Sequence, residues 1–174
     1  LNWRHPWYMS REFFAMARPA YAQSDPHYRF RGPEDLAIYW PYVHACLTEL
    51  LTRYTPLAGV WLDLIMGYYA RPDLIPVEET YALIRRLQPQ ALISYKQGAN
   101  GDEDFATPEH NFASLAERAG KHYGPASAQV AATAWERNRH KHNEICTTLH
   151  TGGWGYVKDA VHKSADEIFE LVRY

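Results

Sequence analysis

The sequence predicts an α/β fold built on parallel strands. Two short apolar runs, Leu57–Met66 and Ala91–Tyr95, are separated by an amphipathic segment that opens at Pro76 and stops before Pro89. Continuous apolar runs of this length suit strands covered on both faces. A strand–helix–strand unit of this kind normally closes as a right-handed parallel crossover.

The elements follow in order. Residues 1–33 are rich in Arg, Pro, Tyr and His, keep no period, and read as a long loop. Leu36, Tyr39, Trp40, Val43, Leu47, Leu50, Leu51 and Tyr54 then recur at steps of three and four, which places them on one helical stripe. Glu34 and Asp35 suit the positive end of that helix. Pro41 removes an interior donor, so the helix is expected to kink or to begin there. The run Leu57–Met66 reads as a buried strand holding one acid, Asp63. Pro76 at a first helical position, Glu78 and Glu79 in the first turn, and Arg85 and Arg86 in the last define the next helix.

After the second strand, Gln97 to Glu109 is polar and contains Gly98, Gly101 and Pro108, which marks a loop. The small-residue run Ala126–Ala134 fits a helix or a strand. Glu144–Leu149 is a candidate third strand, ending in the turn Thr151-Gly152-Gly153. Ser164 and Glu167 form a capping box for a final helix over 165–173. The 174 residues make one domain, 1–174, with three or four strands. A complete eight-fold (β/α) barrel takes about 250 residues, so this chain falls short of one.

Composition narrows the function. Eighteen basic and twenty acidic residues give a net charge of −2, which offers no footprint for nucleic acid or an anionic membrane surface. No stretch approaches the roughly 18 apolar residues of a membrane span. Leu1 opens without the charged and apolar regions of a signal peptide. Cys46 and Cys146, a hundred residues apart, read as buried free thiols, with a disulfide between them the alternative. Aromatic residues reach 14%, a density that suits a rigid core and a surface for stacking flat ligands or sugars.

Asp63 draws attention first, because an acid in an apolar strand is costly unless it is paired or sits at the strand's exposed end. It reads either as a structural carboxylate or as a nucleophile or base at a carboxyl end, flanked by Trp61. Glu103, Asp104 and Glu109 follow the second strand. Loop acids are ordinarily only solvated, but with Asp63 they bring carboxylates to the ends of neighbouring parallel strands. Glycoside hydrolysis needs such a pair, about 5–5.5 Å apart in a retaining enzyme. His140-Lys141-His142 lacks a completing Cys or acid at a metal-ligand spacing, so no metal site is expected. Gly152-Gly153-Trp154-Gly155 lacks the Lys-Ser/Thr ending of a phosphate loop and reads as a turn presenting Trp154. No G-x-S-x-G elbow supports a serine hydrolase.

In order, the chain carries Leu1-Asn-Trp-Arg, Tyr42-Val43 through Glu49-Leu-Leu, Trp61-Leu-Asp63, Asp104-Phe-Ala-Thr-Pro-Glu109, Glu144-Ile-Cys-Thr-Thr and Trp154-Gly-Tyr156. This series resembles the α-L-fucosidases of glycoside hydrolase family 29, over the later half of that family's catalytic barrel. The resemblance implies a partial TIM-barrel-like domain with Asp63 as nucleophile and Glu109 as acid/base. It implies Trp61, Lys96, Glu144 and Trp154 as substrate-binding residues, Trp154 against the apolar face and methyl group of fucose. Lys96 replaces a frequent Arg, Asn143 stands before Glu144 where the family usually has Trp, and Leu64 follows Asp63 where Gly is commonest.

Retaining hydrolysis of terminal α-L-fucose from a glycan or glycoside follows from the resemblance, with no metal or organic cofactor. Transfucosylation follows when a sugar replaces water. In the family the hydroxyl-binding histidines and aromatics come from the earlier barrel half, whose segments are not in this chain, and nothing in the sequence marks His5, His27 or His44 as replacements for them. A half barrel leaves sheet edges unpaired, so a homo-oligomer is expected to complete or cover it. The competing expectations are a fucose- or carbohydrate-binding protein without turnover, and an inactive fragment of a fucosidase.

Overall fold

The structure, a computed structural model, describes residues 36–63, 65–110, 113–151 and 153–173. The expected loop over 1–33, the motif opening at Leu1, the helix-start acids Glu34 and Asp35, Leu64 and the turn residue Gly152 lie outside the described residues. What is described is a mixed helix–strand fold around a two-stranded parallel sheet.

Helix α1, Leu36–Arg53, passes through Pro41 rather than starting at it. Its apolar stripe is graded: Tyr39 and Leu51 are buried, Trp40, Val43 and Leu47 are partly covered, and Leu50 and, just beyond the helix, Tyr54 are exposed. Strand β1 covers only Gly59–Leu62, with Trp61 exposed on one face and Val60 and Leu62 half-buried on the other. The expected strand over 57–66, covered on both faces, is therefore corrected twice. It stops at Leu62, and Ile65–Ala70 forms a separate helix, α2, that buries Ile65, Gly67 and Tyr69. A short apolar run carries no period that tells strand from buried helix.

A 3₁₀ turn over Pro72–Leu74 leads to α3, Val77–Leu87, with Pro76 at the N-cap position, one residue before the first helical position expected for it. Glu78 and Glu79 in its first turn and Arg85 and Arg86 in its last complement the helix dipole. Its inner face is Val77, Thr80, Tyr81, Leu83 and Ile84. Strand β2, Leu92–Tyr95, pairs parallel to β1 with Gly59 opposite Leu92 and Leu62 opposite Tyr95. Parallel single bridges carry the sheet onward, from Ser94 to Phe105, Ala106 to Asn143 and Glu109 to Cys146. The candidate strand over 144–149 is thus reduced to a single bridge at Cys146, with another just before it at Asn143.

Helices α4, Ala116–Tyr123, and α5, Pro125–Asn138, meet at Gly124. The small-residue run is helical, and its Ala131 and Ala134 are buried in the core together with Ala119 of α4. Helix α6, Ala165–Val172, carries the expected capping box: Ser164 Oγ accepts from Glu167 N at 3.3 Å, and Glu167 Oε2 accepts from Ser164 N at 2.7 Å.

The core joins Leu51, Tyr69, Ile84, Ala91 and Ile93 beneath the sheet. Buried Gln88 ties three segments by donating to Leu51 O at 2.7 Å and accepting from Leu57 N at 2.9 Å and Gln90 Nε2 at 2.7 Å. Cys46 and Cys146 are free thiols, both half-buried. Among the described residues no helix is long and apolar enough to cross a membrane.

Candidate active site at the strand ends

The parallel register builds the site. Leu62 and Tyr95 are partners at the carboxyl ends of β1 and β2, so the next residues, Asp63 and Lys96, leave the sheet side by side. Lys96 takes a left-handed backbone, φ 46°, which is rare outside glycine. Two bonds hold it there: Thr107 N donates to Lys96 O at 2.6 Å, and Gly98 N donates to Tyr95 O at 2.7 Å. That backbone turns a lysine side chain, only 8% exposed, back across the strand ends.

Its ammonium meets three groups. Lys96 Nζ lies 3.2 Å from Glu109 Oε2, 3.7 Å from Asp63 Oδ1 and 4.6 Å from the centre of the Trp61 ring. Because both carboxylates touch one nitrogen, their oxygens are no farther apart than those two ion-pair distances laid end to end. Such a span accommodates the about 5–5.5 Å separation of a double-displacement pair. Asp63 is half-exposed beyond the strand, so the cost of burying an acid inside β1 does not arise. Trp61, two residues earlier, has its ring held by Nε1–H donating to Thr107 Oγ1 at 3.0 Å. Thr107 in turn shares a hydrogen bond of 2.8 Å with buried Ser94.

Glu109 is bridged to Cys146 and followed by His110, another left-handed residue with φ 66°. Its second oxygen, Oε1, lies 3.8 Å from His110 Nε2. The His110 ring stacks on Trp154, with centroids 5.1 Å apart and planes inclined by 26°. Glu144 is exposed on the neighbouring segment, its N–H bonded to Ala106 O at 2.9 Å. Burial pushes the Cys146 thiol up; the charges of Glu109, Glu144 and Asp63 add to that, and Lys96 opposes it. A thiol held in its protonated form is a poor nucleophile.

The other loop acids serve the scaffold. Glu103 is buried, and its Oε1 accepts from Tyr81 OH at 2.6 Å and Ala99 N at 2.5 Å while Oε2 accepts from Gly101 N at 3.0 Å. Asp104 pairs with Arg85 at 2.7 Å and accepts from Ile93 N at 2.6 Å. His44 bonds Thr80 at 2.9 Å, between α1 and α3. Among the described residues no three His, Cys, Asp or Glu side chains gather as metal ligands do.

Of the residues expected at the site, Asp63, Glu109, Trp61 and Lys96 share direct contacts, Trp154 joins through His110, and Glu144 stands beside Cys146. Sequence reasoning passed over His110 and Thr107. The only signal for His110 was its position next to Glu109. The chain matches no protein-family model, and no curated protein matches it.

Proposed function

We propose that these strand ends are the catalytic centre of a (β/α)-barrel glycoside hydrolase, and more narrowly of a retaining α-L-fucosidase resembling glycoside hydrolase family 29. The observation that carries this reading is the joining of Asp63 and Glu109, from separate segments, through one ammonium beside an exposed Trp61 ring. In the proposed reaction Asp63 attacks the anomeric carbon as the bond to the leaving oxygen breaks. That oxygen keeps the electron pair and takes the proton of Glu109. Water, deprotonated by Glu109, then cleaves the fucosyl–Asp63 ester, and a sugar in its place is fucosylated. Lys96 and Glu144 suit hydroxyls of the bound sugar, Trp61 suits its apolar face, and no cofactor takes part.

Two further features support the barrel and oligomer parts of the reading. Successive parallel bridges continue the order β1, β2, 105–109, 143–146, as in a barrel wall. Among the described residues β1 pairs with β2 alone, and an apolar cleft lined by Leu47, Leu50, Tyr54, Leu57, Val60 and Trp61 opens beside it. A second copy of the chain is the proposed cover for this edge.

The test is release of 4-nitrophenol from its α-L-fucoside by protein of known mass from light scattering. Turnover is expected from a multiple of 20.1 kDa, lost by about 10³-fold or more in Asp63→Asn. Glu109→Gln is expected to slow release of the intermediate more than its formation with this good leaving group. Fucose binding without turnover selects the binding-only alternative, to which the exposed Trp61 and Trp154 rings are equally suited. Absence of both binding and turnover in folded protein rejects the fucosidase reading.

A further inference from the structure

The two oxygens of Glu109 are not equivalent. Oε2 faces the Lys96 ammonium at 3.2 Å, and Oε1 faces the His110 ring, 3.8 Å from Nε2. A proton is disfavoured on an oxygen already engaged by an ammonium, so an acid proton on Glu109 belongs on Oε1. The leaving oxygen must then approach Oε1, on the side away from Lys96 and Asp63. What lies on that side is the His110–Trp154 stack, with Trp154 57% exposed.

We infer that Trp154 and His110 form a leaving-group subsite that takes a neutral hexopyranose with its C–H face against the indole. This rests on the fucosidase reading, and it moves Trp154 from the fucose methyl to the sugar released. The His110 ring is held for this task. Its Nδ1 lies 3.2 Å from Thr147 Oγ1, which accepts from Lys163 Nζ at 2.8 Å. The threonine hydroxyl, accepting from the lysine, keeps its own hydrogen available to donate to Nδ1, and in the inferred tautomer it does so. The imidazole hydrogen is then on Nε2, facing the Glu109 side, where it can donate to a hydroxyl of the leaving sugar. Stacking on one indole and one such bond give selectivity for the leaving group without touching the anomeric carbon.

The test uses two substrates and one binding probe. α-L-Fucosyl fluoride has no ring to stack, whereas 4-nitrophenyl α-L-fucoside has one. In Trp154→Ala the ratio of kcat/KM for the nitrophenyl fucoside to that for the fluoride is expected to fall about tenfold, and Trp154→Phe to restore most of it. In parallel, methyl β-D-galactopyranoside is titrated against Asp63→Asn protein while the indole N–H signals are followed by NMR. A saturable shift of the Trp154 signal is expected, lost in the double variant that adds His110→Ala. An equal loss on both substrates returns Trp154 to the fucose pocket and overturns the inference. So does an unmoved indole signal. If the wild type cleaves neither fucoside, the fucosidase reading fails by itself, and the galactoside titration alone decides the subsite.

Discussion

The loop Gln97–Asp104 and the segment Thr147–Lys163 border the same site and are held by opposite means. The loop is tied from inside. Glu103 accepts three hydrogen bonds beneath it, and Lys141 Nζ donates to Gly101 O at 2.7 Å and Glu103 O at 2.5 Å. Gln97 bonds Ala113 O at 2.6 Å and Leu115 N at 2.7 Å. The segment, by contrast, exposes Leu149, Trp154, Tyr156, Val157 and Val161, and its ties are a few bonds such as Lys163 to Thr147 and Thr148. Buried, satisfied polar groups fix one wall of the site, which holds Lys96 and leads to Glu109. The other wall leaves apolar side chains in water, the Trp154 and Tyr156 rings among them.

The largest break in this contrast is expected from Gly98→Ala. Gly98 has φ +95°, and a methyl group there would run into the Asn138 side chain. Strain and overpacking together are worth about 3 kcal/mol or more. Thermal unfolding is expected to shift down by roughly 6–12 °C for a chain of this size. A shift below about 2 °C would mean that the loop is not fixed as described.

A pH titration sharpens the same contrast. Burial raises the phenol of Tyr81 far above its ordinary range, with the Glu103 charge and hydrogen bond adding to it, and burial likewise raises Tyr69. Burial pushes Tyr39 up to about 12, helped by Tyr42 and Cys46. The unfolded chain gives up these protons near pH 10 while the folded chain keeps them. Stability is therefore full below about pH 10 and falls as pH rises through the window up to 12 and beyond. Urea midpoints at pH 9 and pH 11 read this, and Tyr81→Phe is expected to lessen the drop. Equal midpoints in the wild type contradict it.

The smallest effect belongs to the exposed side. Ser164→Ala removes the α6 cap and is expected to cost about 1 kcal/mol, confined to that helix. Amide exchange at Ile168–Glu170 would quicken about fivefold while the global transition hardly moves. A fall in the global transition comparable to that of Gly98→Ala would erase the difference between the two regions.

The legible parts of the fold were those with chemical punctuation. Pro76, Glu78, Arg85 and Pro89 bracket α3, and Ser164 with Glu167 starts α6, because caps and dipole charges act within a few residues. The apolar run after Leu57 carries no such mark at Leu62, so its residues alone do not separate α2 from the strand before it. The alanine-rich stretch that became α5 was ambiguous because small side chains fit either geometry. Glu103 looked like any loop acid, since its burial comes from Tyr81, more than twenty residues away in sequence. At the site, the meeting of Asp63, Lys96 and Glu109 follows from parallel strand ends and was half visible. The left-handed turns at Lys96 and His110 were not, because nothing local distinguishes a strained lysine from an ordinary one.

The position of Lys96 also sets the electrical sum of the site. Asp63, Glu109 and Lys96 together carry one net negative charge when all are ionised, and none once Glu109 holds a proton. In the proposed resting state, then, an uncharged sugar enters without displacing counterions, and its affinity stays flat as ionic strength changes. Acidic sugars find no surplus cation to meet them. On the fucosidase reading, a single lysine between two acids would keep that trio free of surplus positive charge, so that the proposed pocket favours neutral over acidic glycans.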